Sequence, residues 1–496
     1  LPTVQPPYTI NPGTLTAKYV AGYPATINAT ASQTTTFVGV VYVKPQADSD
    51  IITSAQVTPN SDGSIALAVA TSASAAPGHY AGNITVNVCK DTNCAAQLEG
   101  APFKVPYAID VVSPNGGVTT SNLAPLATLG GAGDWSGYQA NAAHTGMVPV
   151  TLNPSAFSLR WKYEAPAVSG RQMVISDIAS GNGHLYFSTG SYYDASAQGH
   201  LLFVLNERDG SQAWTHDFGD LKYATTNPPA YANGKVYLSA GSQESTTMFA
   251  FDANSGAPVF STPINSQWSH YRAPVAFGDS IYMGGGYYGG MYAFDAASGA
   301  QQWFVDADII FDWAPAVDAG HAYLYVGGRP RIFDRLSGAL TNPSSAPDVG
   351  GLASSTPLLG APNNLIVSRT SGLTDYDTAA LAVRWTVAAN FHDGAAYDRG
   401  VIYALRLNPV ILEARNEGDG SLAWSWTAPA AAQDPGSNVV LTNNLVFVSA
   451  NGATYAVDRS THAAVWTYPF SGQLSLSSNG ILYINGGTSI AAINLH

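Results

Sequence analysis

The chain has 496 residues, 46% of them hydrophobic and only 11% charged, with a formal charge of −13. That length leaves room for two or three domains and a large buried core. The acidity excludes a nucleic-acid role, which needs a basic face to neutralise phosphates, and no apolar run approaches a membrane span.

The start of the chain lacks a charged and then apolar leader, so the expectation is that Leu1 follows a removed signal peptide and that the protein is extracytoplasmic. The tail from Leu1 to Pro7 is a candidate for self-assembly by strand addition to a neighbouring subunit. Strand-like stretches follow at Thr36–Val43, Ile65–Ala70, Gly82–Val88 and Phe103–Val112, separated by turn clusters such as Asn60-Ser61-Asp62-Gly63. The pattern predicts a sandwich over 1–112. Cys89 and Cys94, an even pair across a short turn, are expected to form a disulfide rather than a metal or redox site. Residues 113–133, rich in Ser, Gly, Pro and Thr, are expected to be a linker.

From 134 onward one phrase recurs. Met248–Phe260 reads MFAFDANSGAPVF and Met291–Trp303 reads MYAFDAASGAQQW, with further copies ending at Trp214, Trp385, Trp424 and Trp466. Each copy predicts an apolar strand, a turn capped by Asp or Asn, in five copies a Gly supplying φ > 0, and an outgoing strand carrying an aromatic. The copy around Phe333-Asp334 has Asn342 in place of the Trp. Counting the outer-strand aromatics from Trp161, and separately the tight turns from Asn182-Gly183 to Asn479-Gly480, gives eight positions each time. The last copy, Ile490–His496, has no outer strand of its own, whereas Phe157–Tyr163 is an outer strand without inner ones. Pairing them closes a ring.

The first 112 residues resemble, in pattern, the immunoglobulin-like modules of secreted bacterial proteins. Asp134-Trp135-Ser136-Gly137-Tyr138 with His144-Thr145-Gly146, followed by the repeats, resembles the pyrroloquinoline quinone (PQQ)-like propeller family. The resemblance implies an all-β protein: an Ig-like sandwich (1–112), a linker (113–133) and an eight-bladed propeller (134–496, lead-in 134–156), closed by the N-terminal outer strand. It also implies candidate chemistry. Family dehydrogenases hold PQQ over a Trp floor with calcium, for which Trp313 or Trp268 would be the floor and Asp312 or Asp393 the base.

Both tight turns of each repeat lie on one face, so the long, variable connections gather on the other, where function usually collects. That face carries Tyr192, Tyr193, Trp268, Arg272, Tyr287, Tyr288, Asp312, Trp313, Arg329, Arg331, Arg369 and Arg406 as candidate ligand-binding residues, a cationic and aromatic mouth suited to a flat or anionic ligand. His270, Tyr271 and Arg272, with His392 and Asp393, are the candidates for proton abstraction in an anionic-polysaccharide lyase. The favoured expectation is recognition of a protein or glycan partner, or extracellular assembly, without cofactor or metal; a PQQ- and calcium-dependent dehydrogenase and a polysaccharide lyase are the alternatives.

Overall fold

The computed structural model describes residues 5–34, 39–190, 199–219, 225–242, 245–266, 271–307, 313–326, 329–341, 355–429 and 437–496. The protein is all-β; one 3-10 turn, Pro154–Ala156, interrupts the strands among the described residues. None of these residues forms a helix long and apolar enough to cross a membrane. Two compact units are present, 1–117 with 164–173, and 118–163 with 174–496.

In the first unit, Tyr8–Asn11, Thr26–Gln33, Ile65–Thr71 and Ile52–Pro59 form one four-stranded sheet in the order first, second, third, fourth as named. A second sheet contains Leu15–Val20, Phe103–Val112, Gly78–Cys89 and Tyr42–Ala47. Side chains alternate across a strand, and the inward set, including Leu15, Leu67, Val69, Ile84, Val88, Tyr107 and Ile109, makes one shared core. Cys89 and Cys94 are joined as a disulfide. Thr34 donates to the carbonyl oxygen of Pro7, which ties the early tail to its own sheet; residues 1–4 lie outside the described set. Residues 113–133 divide between the units: Gly117–Thr120 is a strand beside Ser158–Glu164, and Leu129 donates to Ser478 within the second unit.

The second unit is a succession of small antiparallel sheets, numbered here in chain order from sheet 1 (Ala179–Gly181, His184–Ser188, Leu201–Asn206, Gln212–Asp217). Sheet 3 spans Val275–Phe277 to Gln301–Asp306, sheet 5 Leu358–Leu359 to Ala382–Val387, and sheet 6 Ala396–Asp398 to Leu422–Thr427. In sheet 8, Gln473–Leu476, Ile481–Asn485 and Ser489–Asn494 are completed by Ser158–Glu164 from the other end of the unit. Sheet 4 has three strands among the described residues, Ala316–Val317, His321–Val326 and Arg329–Asp334. Buried apolar side chains fill the seams between consecutive sheets, for example Val275, Tyr282 and Trp303 of sheet 3 with Val317, Leu324 and Phe333 of sheet 4.

The repeated phrase sets these seams. Asp295 accepts from the backbone of Ala297 and Ser298, and Gly299 closes the turn at φ +72. The same glycine is the floor on which the preceding sheet's aromatic rests. A Cβ on Gly299 would lie 2.3 Å from the Phe260 ring, and one on Gly338 would lie 2.8 Å from Trp303. The indole of Trp303 then donates to the carbonyl of Arg335 in sheet 4, as Trp161 does to Glu207, Trp214 to Ala253 and Trp385 to Glu417. Burying one such ring is worth about 4–6 kcal/mol of transfer free energy at ~25 cal/mol per Å². Aromatic and glycine therefore form a matched pair across each such seam.

Candidate functional site

The lead-in is not a simple approach to the first sheet. Its carbonyls pair with the innermost strands one after another: Trp135 accepts from Ser180, Ser136 from Tyr231, Ala142 from Val317, Ala143 from Leu359, Thr145 from Tyr397 and Gly146 from Leu441. To bend this tightly the backbone takes positive φ at Gln139 (50°), Ala140 (74°) and His144 (58°), strain that the surrounding bonds hold in place. Gln139 is buried; its amide nitrogen donates to the carbonyls of Gly394 and Ala395, and its oxygen accepts from Asn438. The segment is thus a belt inside the ring of sheets.

Above the belt sits an ion cluster. Arg272 and Asp393 each stand three residues before the inner-strand residues Val275 and Ala396, which pair in register with Tyr282 and Tyr403. From sheet 3 the Arg272 guanidinium reaches Asp393 of sheet 6 at 2.8 Å and Asp177, beside sheet 1, at 3.6 Å. It also lies 4.2 Å from the centre of the Tyr138 ring, a cation–π contact with the belt. Burial, with a smaller contribution from Asp393, pushes the Tyr138 phenol well above its usual range, so it stays protonated. His144 packs edge-on to Tyr138, and its Nδ1 donates to the carbonyl of Pro357 at 2.8 Å. Burial drives His144 down to about 4, so it is neutral at physiological pH. Two small spaces beside Tyr138 and Gln139 measure about 10 and 20 Å³, each the size of a single water.

The other candidates are dispersed. Tyr271 is 3% exposed, with its hydroxyl 2.9 Å from Ser266 Oγ, which points it away from any proton-abstracting role. His392 Nδ1 is turned onto the carbonyl of Asp393. Trp313 is 1% exposed and belongs to the seam between sheets 3 and 4, although it holds the same register position as Arg272. Arg369 is buried against the Tyr325 ring, Arg331 lies over Phe333, and Arg406 is paired with Glu413 at 2.7 Å. Tyr287, Tyr288 and Arg329 are exposed. Tyr192, Tyr193, Trp268, His270 and Asp312 lie outside the described residues.

Of the residues expected to hold PQQ with calcium, Trp313 is core and Asp393 is held by Arg272, while Trp268 and Asp312 lie outside the described residues. Among the described residues no group of three or more His, Cys, Asp or Glu side chains is placed to hold a metal ion. The opposite, tight-turn face has larger hollows, of about 600 Å³ around Asn141–Ala143 and Asn233, and about 880 Å³ between sheets 4 and 5. Sequence reasoning missed the belt and, although it named Arg272 and Asp393 together, missed Asp177, Tyr138 and the ion pairs that join them. The signal available was the shared register of Arg272 and Asp393, opposite charges at equivalent positions of two repeats.

Comparison with known proteins bears on the fold. Residues 197–424 match the family model described as outer membrane protein assembly factor BamB. The structure is similar to BamB from Moraxella catarrhalis, at 16% identity and a TM-score of 0.51, covering 68% of this chain and 97% of that one. It also aligns with apo AztD from Citrobacter koseri (11% identity, TM-score 0.42, 62% of this chain and 88% of that one). The dihydro-heme d1 dehydrogenase NirN aligns at 8% identity and TM-score 0.42, over 73% of this chain and 81% of that one. No curated protein matches the chain by sequence. With its sheet succession, its turn-and-aromatic repeat and the likeness to BamB, the second unit has a β-propeller fold.

Proposed function

We propose that this is an extracytoplasmic recognition or assembly protein, an Ig-like sandwich joined to an eight-bladed propeller, which binds a protein or glycan partner through the loop face. The observation that carries the reading is the axis itself. The belt fills it, and Arg272 ties together the carboxylates that a dehydrogenase or lyase would need free. Binding then falls to the surface around the axis, where Tyr287, Tyr288 and Arg329 are exposed. The match to an assembly-factor family supports a partner-binding role, and the disulfide supports a compartment where thiols oxidise.

A photo-crosslinking amino acid at Tyr288, with Ala297 on the tight-turn face as control, tests this in the native cell envelope. Crosslinks to a defined partner from position 288 and not from 297 are expected. Crosslinking from 297 alone would refute the choice of face. Dye-linked alcohol oxidation after addition of PQQ and calcium, or unsaturated products from uronate polysaccharides, would refute the non-catalytic reading.

A further inference from the structure

One corner of the axis gathers polar side chains whose hydrogen bonds are not made within the chain. His144 is 1% exposed, and its Nδ1–H is already given to the Pro357 carbonyl. The neutral ring therefore presents a bare acceptor at Nε2, a buried atom that no donor reaches among the described residues. Ser368, 5% exposed near the end of the strand Asn364–Arg369 in sheet 5, and Tyr138 of the belt have buried hydroxyls in the same condition. The Tyr138 phenol keeps its proton and so needs an acceptor. All three side chains line one space of about 10 Å³, which has Leu358, Ile366 and Ala395 as apolar walls.

Another seam makes directly the bond that Ser368 does not. In sheet 1, Ser188 lies two residues beyond Tyr186, the partner of Ala179; in sheet 5, Ser368 lies two residues beyond Ile366, the partner of Leu358. The two serines are register equivalents. Ser188 donates to the carbonyls of Thr226 and Asn227, just ahead of the next inner strand, Ala230–Ala232. The counterparts ahead of Ala396–Asp398 are His392 and Asp393, and the Ser368 hydroxyl bonds to neither. Instead, Ser368 and residues 393–395 border a common space that His144 and Tyr138 of the belt also face. Buried donors and acceptors left unmade are costly, and a water in a polar space of this size supplies two donors and two acceptors.

We propose that this space is the binding site of a single ordered water, which donates to His144 Nε2, accepts from the Tyr138 hydroxyl and exchanges a hydrogen bond with Ser368 Oγ. The water ties the belt to sheet 5 at the inner end of the seam with sheet 6, where the equivalent serine of sheet 1 needs no intermediary. Water is favoured over a cation because the one carboxylate on the space, Asp393, already carries the Arg272 guanidinium at 2.8 Å. The volume admits nothing larger.

The test combines a high-resolution crystal structure of the full chain with two solution measurements, magnetic relaxation dispersion of the water oxygen-17 signal and 15N NMR of the His144 ring. Density for one water within about 3.2 Å of His144 Nε2, Ser368 Oγ and Tyr138 Oη is expected. Ser368→Val, whose added methyl takes up the space, should lose that density and one long-lived water from the dispersion amplitude. It should also shift the Nε2 resonance as its donor departs, while the Nδ1–H tautomer held by Pro357 persists and reports that the fold is kept. Absence of the water from the parent crystal, or a direct bond closing between His144 Nε2 and either hydroxyl, would overturn the site. So would a folded Ser368→Val protein with an unchanged dispersion amplitude and an unmoved Nε2 resonance. A peak with the short contacts of a metal ion would overturn the choice of ligand.

Discussion

Asp375 gives the sharpest test of how the seams are built. It lies on the third strand of sheet 5, paired in register with Ile366 and Trp385, so its side chain shares their face. Those neighbours pack with Ile402 and Ala404 of sheet 6. At the equivalent position the other repeats place Val204, Ala250, Ala293, Ile332, Ala414, Ala456 and Ala492, all apolar. Asp375 is fully buried, neither oxygen has a hydrogen-bond partner, and burial pushes its carboxyl up to about 7. Arg384 opposes that shift, while Glu417 and Asp377 add to it. The folded state therefore holds a proton that the unfolded chain, with a carboxyl near 3.8, has released. Stability is fullest below about pH 4, falls as pH rises toward 7, and stays reduced above it. Three units correspond to at most about 4 kcal/mol, and relaxation with screening brings the expected penalty to roughly 2–4 kcal/mol. Asp375→Ala should thus raise the thermal midpoint by several degrees at pH 8 and change it little at pH 4.5, measured by calorimetry against the parent protein. An equal effect at both pH values, or destabilisation at pH 8, would refute the reasoning.

Gly299→Ala sets a Cβ against the Phe260 ring at a positive φ and should cost about 1–3 kcal/mol, seen as a lower thermal midpoint. Leu381→Gly, at the same turn position but with no ring to meet, should be close to neutral in the same assay. Gln139→Ala removes the side-chain donor to the Ala395 carbonyl, while the Gly394 carbonyl keeps the Val439 N–H and the Asn438 amide keeps the Leu474 carbonyl, and should cost roughly 1–3 kcal/mol with faster hydrogen exchange along the belt.

The seams were legible in the sequence because their physics is periodic. Asp295, Gly299 and Trp303 recur at fixed offsets, and the offsets alone predict a turn, a positive φ and a packed ring. Two other features were not legible. The belt has no period, and its positive-φ positions are filled by Gln139, Ala140 and His144 rather than glycine, so only the bonds it makes reveal its path. The loop-face candidates were grouped by residue type, which cannot separate Arg272, at the axis, from Trp313, at the same register position yet turned into a seam. Nor could it show that Arg406 already has a carboxylate partner.

The belt also orders events during synthesis. Residues 135–146 leave the ribosome before any inner strand they bind, and Ser158–Glu164 emerges long before Ser489–Asn494, the strand it pairs with. Ser158–Glu164 has Gly117–Thr120 along one side, but its other edge must wait for the last strand of the chain. A nascent chain halted before Ser489 would expose the Ser158–Glu164 edge to its neighbours, so the closing strand is also what keeps unfinished copies from joining one another.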